Sequence, residues 1–277
     1  MFAQLDCLKK MSFALLALCA LLCLAAPSAR AQSDGCTVEA NNPHSTIQQA
    51  VDNGCSQIRV TPGTYYENVV IPAGQTVSIT SVEGAAKTLV DGGGAGSVFT
   101  INSGANVTLT GLTVQNGSTG FGGGIYNAGA VTLNNSPVTH NIASYYGGGI
   151  ENHFGTVTLN SSPVTNNSVP YFGGGIHSFL GTVTLNNSAV TDNTALYGGG
   201  ILNSYGTLTL NSSNVTSNSA YQGGGIYNNA GKLTLNSSPV TNNSASSVGG
   251  GIYNYLGMLT FNSSNVTGNT PDGIYNF

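Results

Sequence analysis

Three side chains have types and spacing that could do chemistry together: Glu151, His153 and His177. Glu151 and His177 each directly follow a Gly-Gly-Gly-Ile block. A carboxylate beside an imidazole can pass a proton or hold a metal. If such blocks stack, the residue after each Ile points outward, so Glu151 and His177 become neighbours. His153 then lies two residues along on the same face. The same position elsewhere holds Tyr126, Leu202, Tyr227, Tyr253 and Tyr275. The competing expectation is therefore a solvent-exposed pair in a mostly tyrosine row. The other charged side chains of 121–277 are Asp192, Lys232 and Asp272, too thin a set for catalysis. No catalytic residue and no metal site is assigned, and Glu151, His153 and His177 stand as candidate binding residues.

A second candidate surface lies just before the glycines. Phe121, Tyr146, Phe172 and Tyr197 share one position, and Tyr145, Tyr171 and Tyr221 sit one place earlier. Tyr146, Phe172 and Tyr197 are the candidate ligand contacts, because aromatic strips stack on sugar rings; the same strip can instead pack on itself. Threonine pairs Thr156/Thr158, Thr182/Thr184 and Thr207/Thr209 form a third row. These resemble the T-x-T faces of ice-binding proteins, although Ala130, Lys232 and Met258 interrupt them. The glycine blocks carry no P-loop lysine, so neither phosphate binding nor a cofactor is expected.

The elements that must position these residues come from a repeat. Gly-Gly-Gly-Ile recurs with Ile at 125, 150, 176, 201, 226 and 252, and Gly273-Ile274 closes the series. Each block is followed by a run such as Thr156-Val157-Thr158-Leu159-Asn160, then one such as Val164-Thr165-Asn166-Asn167. One repeat thus holds three short extended runs whose alternation turns one side to a core. About 25 residues cannot bury that side alone, but stacked copies can. The expected fold is all-β: a parallel β-helix with one repeat per coil. Its inward set in one coil is Ile150, Val157, Leu159 and Val164. Asn141, Asn167, Asn193, Asn218, Asn243 and Asn269 would form one amide ladder along the axis, and Asn134, Asn160, Asn186, Asn211, Asn236 and Asn262 another. Adjacent glycines and Asn-Ser runs are poor helix material, which excludes a helical solenoid.

Composition agrees. Charged residues are 6% of the 277, and there are 39 Gly and no Trp. So few cations exclude a nucleic-acid binder. Lys9-Lys10, the apolar run 11–26 and Ala29-Arg30-Ala31 read as a signal peptide over residues 1–31. No later segment is apolar enough to span a membrane. Export leaves Cys36 and Cys55, for which a disulfide is the default. The cap and first, irregular coils are expected over 32–120, and the regular coils over 121–277. In the former, Ser45-Thr46-Ile47-Gln48 is a capping-box pattern. Ile47, Ala50 and Val51 share one helical face, and Gly54 suits a stop, which predicts a short N-terminal capping helix. Candidate strands are 57–60, 76–80, 98–101 and 107–114.

Two stretches carry a family resemblance. Thr46-Ile47-Gln48, Ala50-Val51, Val60-Thr61-Pro62-Gly63-Thr64-Tyr65, Glu67-Asn68 and Ile71 resemble the opening coil of the pectin-lyase-like superfamily. The Gly-Gly-Gly-Ile and Val-Thr-x-Asn blocks resemble the repeats of bacterial polymorphic outer-membrane proteins, with Val where those carry Phe. The resemblance implies a right-handed coil and secretion or cell-surface display, including association with the outer membrane. It also implies adhesion to a polysaccharide or cell-surface glycan. The alternative is a polysaccharide lyase or glycoside hydrolase of that fold. The acidic calcium ligands and basic proton abstractor of the pectin-degrading relatives are missing, so a binding module is favoured over an enzyme. Coils run on to Phe277 without an evident cap, and the open edge is expected to associate end to end.

Overall fold

A computed structural model describes residues 36–42 and 44–277. The expected signal peptide, 1–31, lies outside the described residues. The chain winds as a parallel β-solenoid, and equal positions of successive coils pair in register. Three sheets run its length. The long-strand sheet has ten strands, from Cys36–Val38 to Met258–Asn262. The Ile sheet has nine, from Val69–Ile71 to Ile274–Asn276. The Val sheet has nine, from Gly63–Tyr66 to Val266–Thr267.

The columns are those the repeats imply. Ile125, Ile150, Ile176, Ile201, Ile226 and Ile252 follow one another in register, all fully buried. Val157, Leu159 and Val164 join Ile150 in the same core. At about 1.5–3 kcal/mol per buried aliphatic side chain, each coil gains several kcal/mol, largely offset by chain entropy. The first coils enter the same columns: Ile58 pairs with Ile79, Ile79 with Leu109, and Leu109 with Leu133. The expected strand 107–114 is two strands, Asn106–Thr110 and Thr113–Gln115. Gly111, at φ +65°, turns the chain between them.

A fourth ladder was not foreseen. Ser118–Phe121 pairs with Ile142–Tyr146, and Ser219–Gln222 with Ser244–Val248. Single bridges such as Tyr146 to Phe172 and Phe172 to Tyr197 link the coils between. The glycine block turns this ladder into the Ile sheet. Gly147 takes φ +61°, and a side chain on Gly149 would meet the Gly175 carbonyl oxygen at 2.6 Å.

Both foreseen amide ladders form. Asn141 Nδ2 donates to Asn167 Oδ1 at 3.0 Å, and Asn167 Nδ2 to Asn193 Oδ1 at 3.1 Å. Asn160 Nδ2 donates to Asn134 Oδ1 at 2.8 Å. A serine ladder accompanies them, with Ser136 N donating to Ser162 Oγ at 2.9 Å and Ser162 N to Ser188 Oγ at 3.0 Å.

The helix is Ile47–Asp52, with Ile47, Ala50 and Val51 buried. Its capping box is one residue later than the Ser45 pattern. Thr46 is the N-cap, accepting from Gln49 N at 3.0 Å, while Gln49 Oε1 accepts from Thr46 N at 3.4 Å. Cys36 and Cys55 are disulfide-bonded. Among the described residues, no helix is long and apolar enough to cross a membrane.

Candidate functional site

Each Ile-sheet strand sends two side chains outward: Glu151 and His153 from Ile150–His153, and His177 and Phe179 from Ile176–Phe179. The preceding segment then folds over them. A side chain on Gly147 would meet Glu151 N at 2.7 Å, so the turn after Tyr146 is narrow. It lays Tyr146 against His177, with ring centroids 5.0 Å apart. The expectation of a solvent-exposed pair is therefore corrected. Glu151 is 3% exposed and His177 4%.

What results is a cleft of about 670 Å³ along the outer face of the Ile sheet. Tyr126, Glu151, His177, Leu202 and Tyr227 form one row of its floor, and His153, Phe179, Ser204 and Asn229 a second. One wall is Phe121, Tyr146, Phe172, Tyr197 and Gln222, and Tyr205 stands on the other side. Four coil steps of 4.7–4.9 Å make the floor about 19 Å long. All six candidate binding residues line this cleft: Tyr146, Phe172, Tyr197, Glu151, His153 and His177.

At its centre, His177 Nδ1 lies 2.7 Å from Glu151 Oε2. Where the carboxylate is ionised it only accepts, so Nδ1–H donates; a neutral ring then leaves Nε2 as an acceptor. His153 Nδ1 lies 3.9 Å from the other oxygen, Oε1. His177 bonds one carboxylate oxygen and His153 stands beside the other, beyond hydrogen-bond distance, so the three groups do not converge on one point. Among the described residues, no group of three His, Cys, Asp or Glu is placed to hold a metal ion. The phenols beside the pair are held neutral. Burial, and then the Glu151 carboxylate, push Tyr126 up. Burial, reinforced by Tyr253 and Tyr197, pushes Tyr227 up to about 12.

The aromatic wall packs on itself. Tyr146 stacks on Phe121 at 5.7 Å and on Phe172 at 5.0 Å, and Phe172 stacks on Tyr197 at 5.5 Å. Both faces of Tyr146 and Phe172 are therefore covered by other rings, and the sugar-stacking role expected of them is not open to their faces. The stack ends at Tyr197, which meets Tyr227 at an interplanar angle of 86°. Tyr145 and Tyr171 stack at 6.2 Å outside the cleft and do not line it.

Sequence reasoning did not assign Phe179, Ser204, Tyr205 and Asn229 to the site. Phe179, Ser204 and Asn229 fall three residues after a block Ile, as His153 does, and that spacing could have found them. Tyr205 had no such signal. It occupies a left-handed corner, φ +57°, where Gly or Asn is the usual choice. The threonine pairs lie in register on the long-strand sheet, away from the cleft. Their central column is unbroken from Thr108 to Thr260.

Searches for similar proteins matched the chain to no family model, no curated protein and no solved structure.

Proposed function

We propose that the protein is an exported, non-enzymatic binding module that holds a stretch of glycan chain along the outer face of its Ile sheet, secreted or displayed at the cell surface. The observation that carries this is the cleft itself: elongated, parallel to the solenoid axis, with aromatic walls and a hydroxyl- and imidazole-bearing floor. One coil step is close to the advance per sugar in an extended chain, so successive sugars would meet successive rows. The signal-peptide pattern and the Cys36–Cys55 disulfide support export. The Gly-Gly-Gly-Ile and Val-Thr-x-Asn blocks support kinship with the polymorphic outer-membrane repeats, and the opening coil with the pectin-lyase-like superfamily.

Titration of the mature chain against a panel of oligosaccharides tests the reading. Binding of at least one glycan class is expected, weakened about tenfold or more by His177→Ala and Tyr205→Ala. Thr158→Ala, on the long-strand sheet, is the control. Absence of binding to any glycan, or binding indifferent to His177 and Tyr205, would overturn it.

The 2.7 Å contact between His177 and Glu151 favours a second reading, in which His177 acts as a base and the cleft cuts the chain it holds. That reading requires the oligosaccharides to shorten on incubation, and His177→Ala to stop it while Thr158→Ala does not.

A further inference from the structure

We infer that the cleft selects uncharged glycan chains and turns away uronate-bearing ones. This rests on the glycan reading above and names its ligand class.

Anions are disfavoured. Glu151 is the one carboxylate among the lining residues, and no Lys or Arg lies among them. The single cation of 121–277, Lys232, stands on the long-strand sheet. A ligand carboxylate seated on this floor would face Glu151 with no Lys or Arg between them. Aromatic walls and limited water make that repulsion larger than at an open surface.

Hydroxyl groups suit every part of the site. His177 Nε2 can accept from one. The raised Tyr126 and Tyr227 phenols stay protonated and can donate. Ser204, Gln222 and Asn229 can each donate or accept.

The test measures affinities at pH 8 for three hexamers: cellohexaose, mannohexaose and hexagalacturonate. Wild type is compared with Glu151→Gln and Asn229→Lys, each confirmed as folded by circular dichroism. The readout is the ratio of charged to neutral affinity. At least one neutral hexamer should bind about tenfold or more tighter than hexagalacturonate. Glu151→Gln, which removes the buried charge, should narrow the gap to hexagalacturonate. Asn229→Lys, which adds a cation on the cleft, should narrow it as well, so the inference does not depend on one variant folding. Wild type that binds hexagalacturonate as tightly as the neutral chains overturns the selectivity and leaves the glycan reading standing. A neutral preference that neither variant changes overturns its electrostatic basis. Failure of all three hexamers to bind overturns both.

Discussion

Alternation along a strand tells which way a side chain points, not what lies over it. The position after each block Ile illustrates this. It faces away from the core, yet Glu151, His177, Leu202 and Tyr253 are all buried there. The cover comes from residues before the glycines, which only the tight turn at Gly147 or Gly173 brings over. Burial changes the tyrosines of this row. Tyr126, Tyr227 and Tyr253 all have raised pKa values, with burial the largest cause. The folded protein therefore favours the neutral phenol. Its stabilisation is complete below the unfolded value of 10.0 and is lost as pH climbs towards about 12, because the unfolded chain ionises first. The melting temperature should accordingly fall between pH 10 and 12, and less steeply in Tyr227→Phe than in wild type. Equal slopes would show that Tyr227 is not among the groups responsible. A second single-residue feature lies along the corner before Gly155, Gly181, Gly206 and Gly257. Phe154, Leu180, Tyr205 and Leu256 adopt φ of 59°, 53°, 57° and 54° while exposed. Bulky residues there cost about 1–2 kcal/mol each, and Tyr205 is the one that lines the cleft.

Ladders are the elements of this fold, and their legibility depended on how strictly each position repeats. The Ile column and both foreseen Asn columns could be read because they keep one residue type in every regular coil. The fourth ladder could not, since its equivalents run Ile142-Ala143-Ser144-Tyr145-Tyr146 in one coil and Ser219-Ala220-Tyr221-Gln222 in another. The capping box was displaced because Ser45-x-x-Gln48 and Thr46-x-x-Gln49 fit the pattern equally well. A third amide ladder, inside the Ile sheet, also escaped notice, and one substitution interrupts it. Asn127 Nδ2 donates to Asn152 Oδ1 at 2.8 Å, and Asn203 Nδ2 to Asn228 Oδ1 at 2.8 Å. Between them stands Ser178, which accepts from Asn152 at 3.1 Å and leaves the buried Asn203 Oδ1 without a partner. The glycines reveal the gap. At Gly155, Gly181, Gly231 and Gly257, an amide from the coil before fills the space a side chain would need, and at Gly206 none does. Ser178→Asn should place its amide there and donate to Asn203. The expected gain is about 1 kcal/mol, a rise in melting temperature of about 2–4 °C. An unchanged or lower melting temperature would mean the gap cannot take an amide.

At the scale of the whole molecule, register makes the coil the unit of change. Each coil contacts mainly its two neighbours, so stability should approximate a sum of coil and interface contributions. This is why the repeat alone sufficed to foresee the solenoid, while the cleft, built from side chains of five coils, did not follow from any one of them. It also makes the function of individual coils separable. Lys232 pairs with Met258, so excising Lys232–Gly257 joins Gly231 to a residue equivalent to the one it lost. That cut removes no residue lining the cleft. Thr182 pairs with Thr207, so excising Thr182–Gly206 is equally conservative for the backbone. This second cut takes out Tyr197, Leu202, Ser204 and Tyr205, and leaves the Glu151–His177 pair in place. Both shortened chains should keep the β-sheet circular dichroism spectrum. The first should bind a long oligosaccharide as the parent does. The second, with a floor one coil shorter, should lose more affinity for hexamers than for shorter oligomers. If either chain fails to fold, coils are not interchangeable units. If both fold and bind alike, the ligand does not lie along the axis of the cleft.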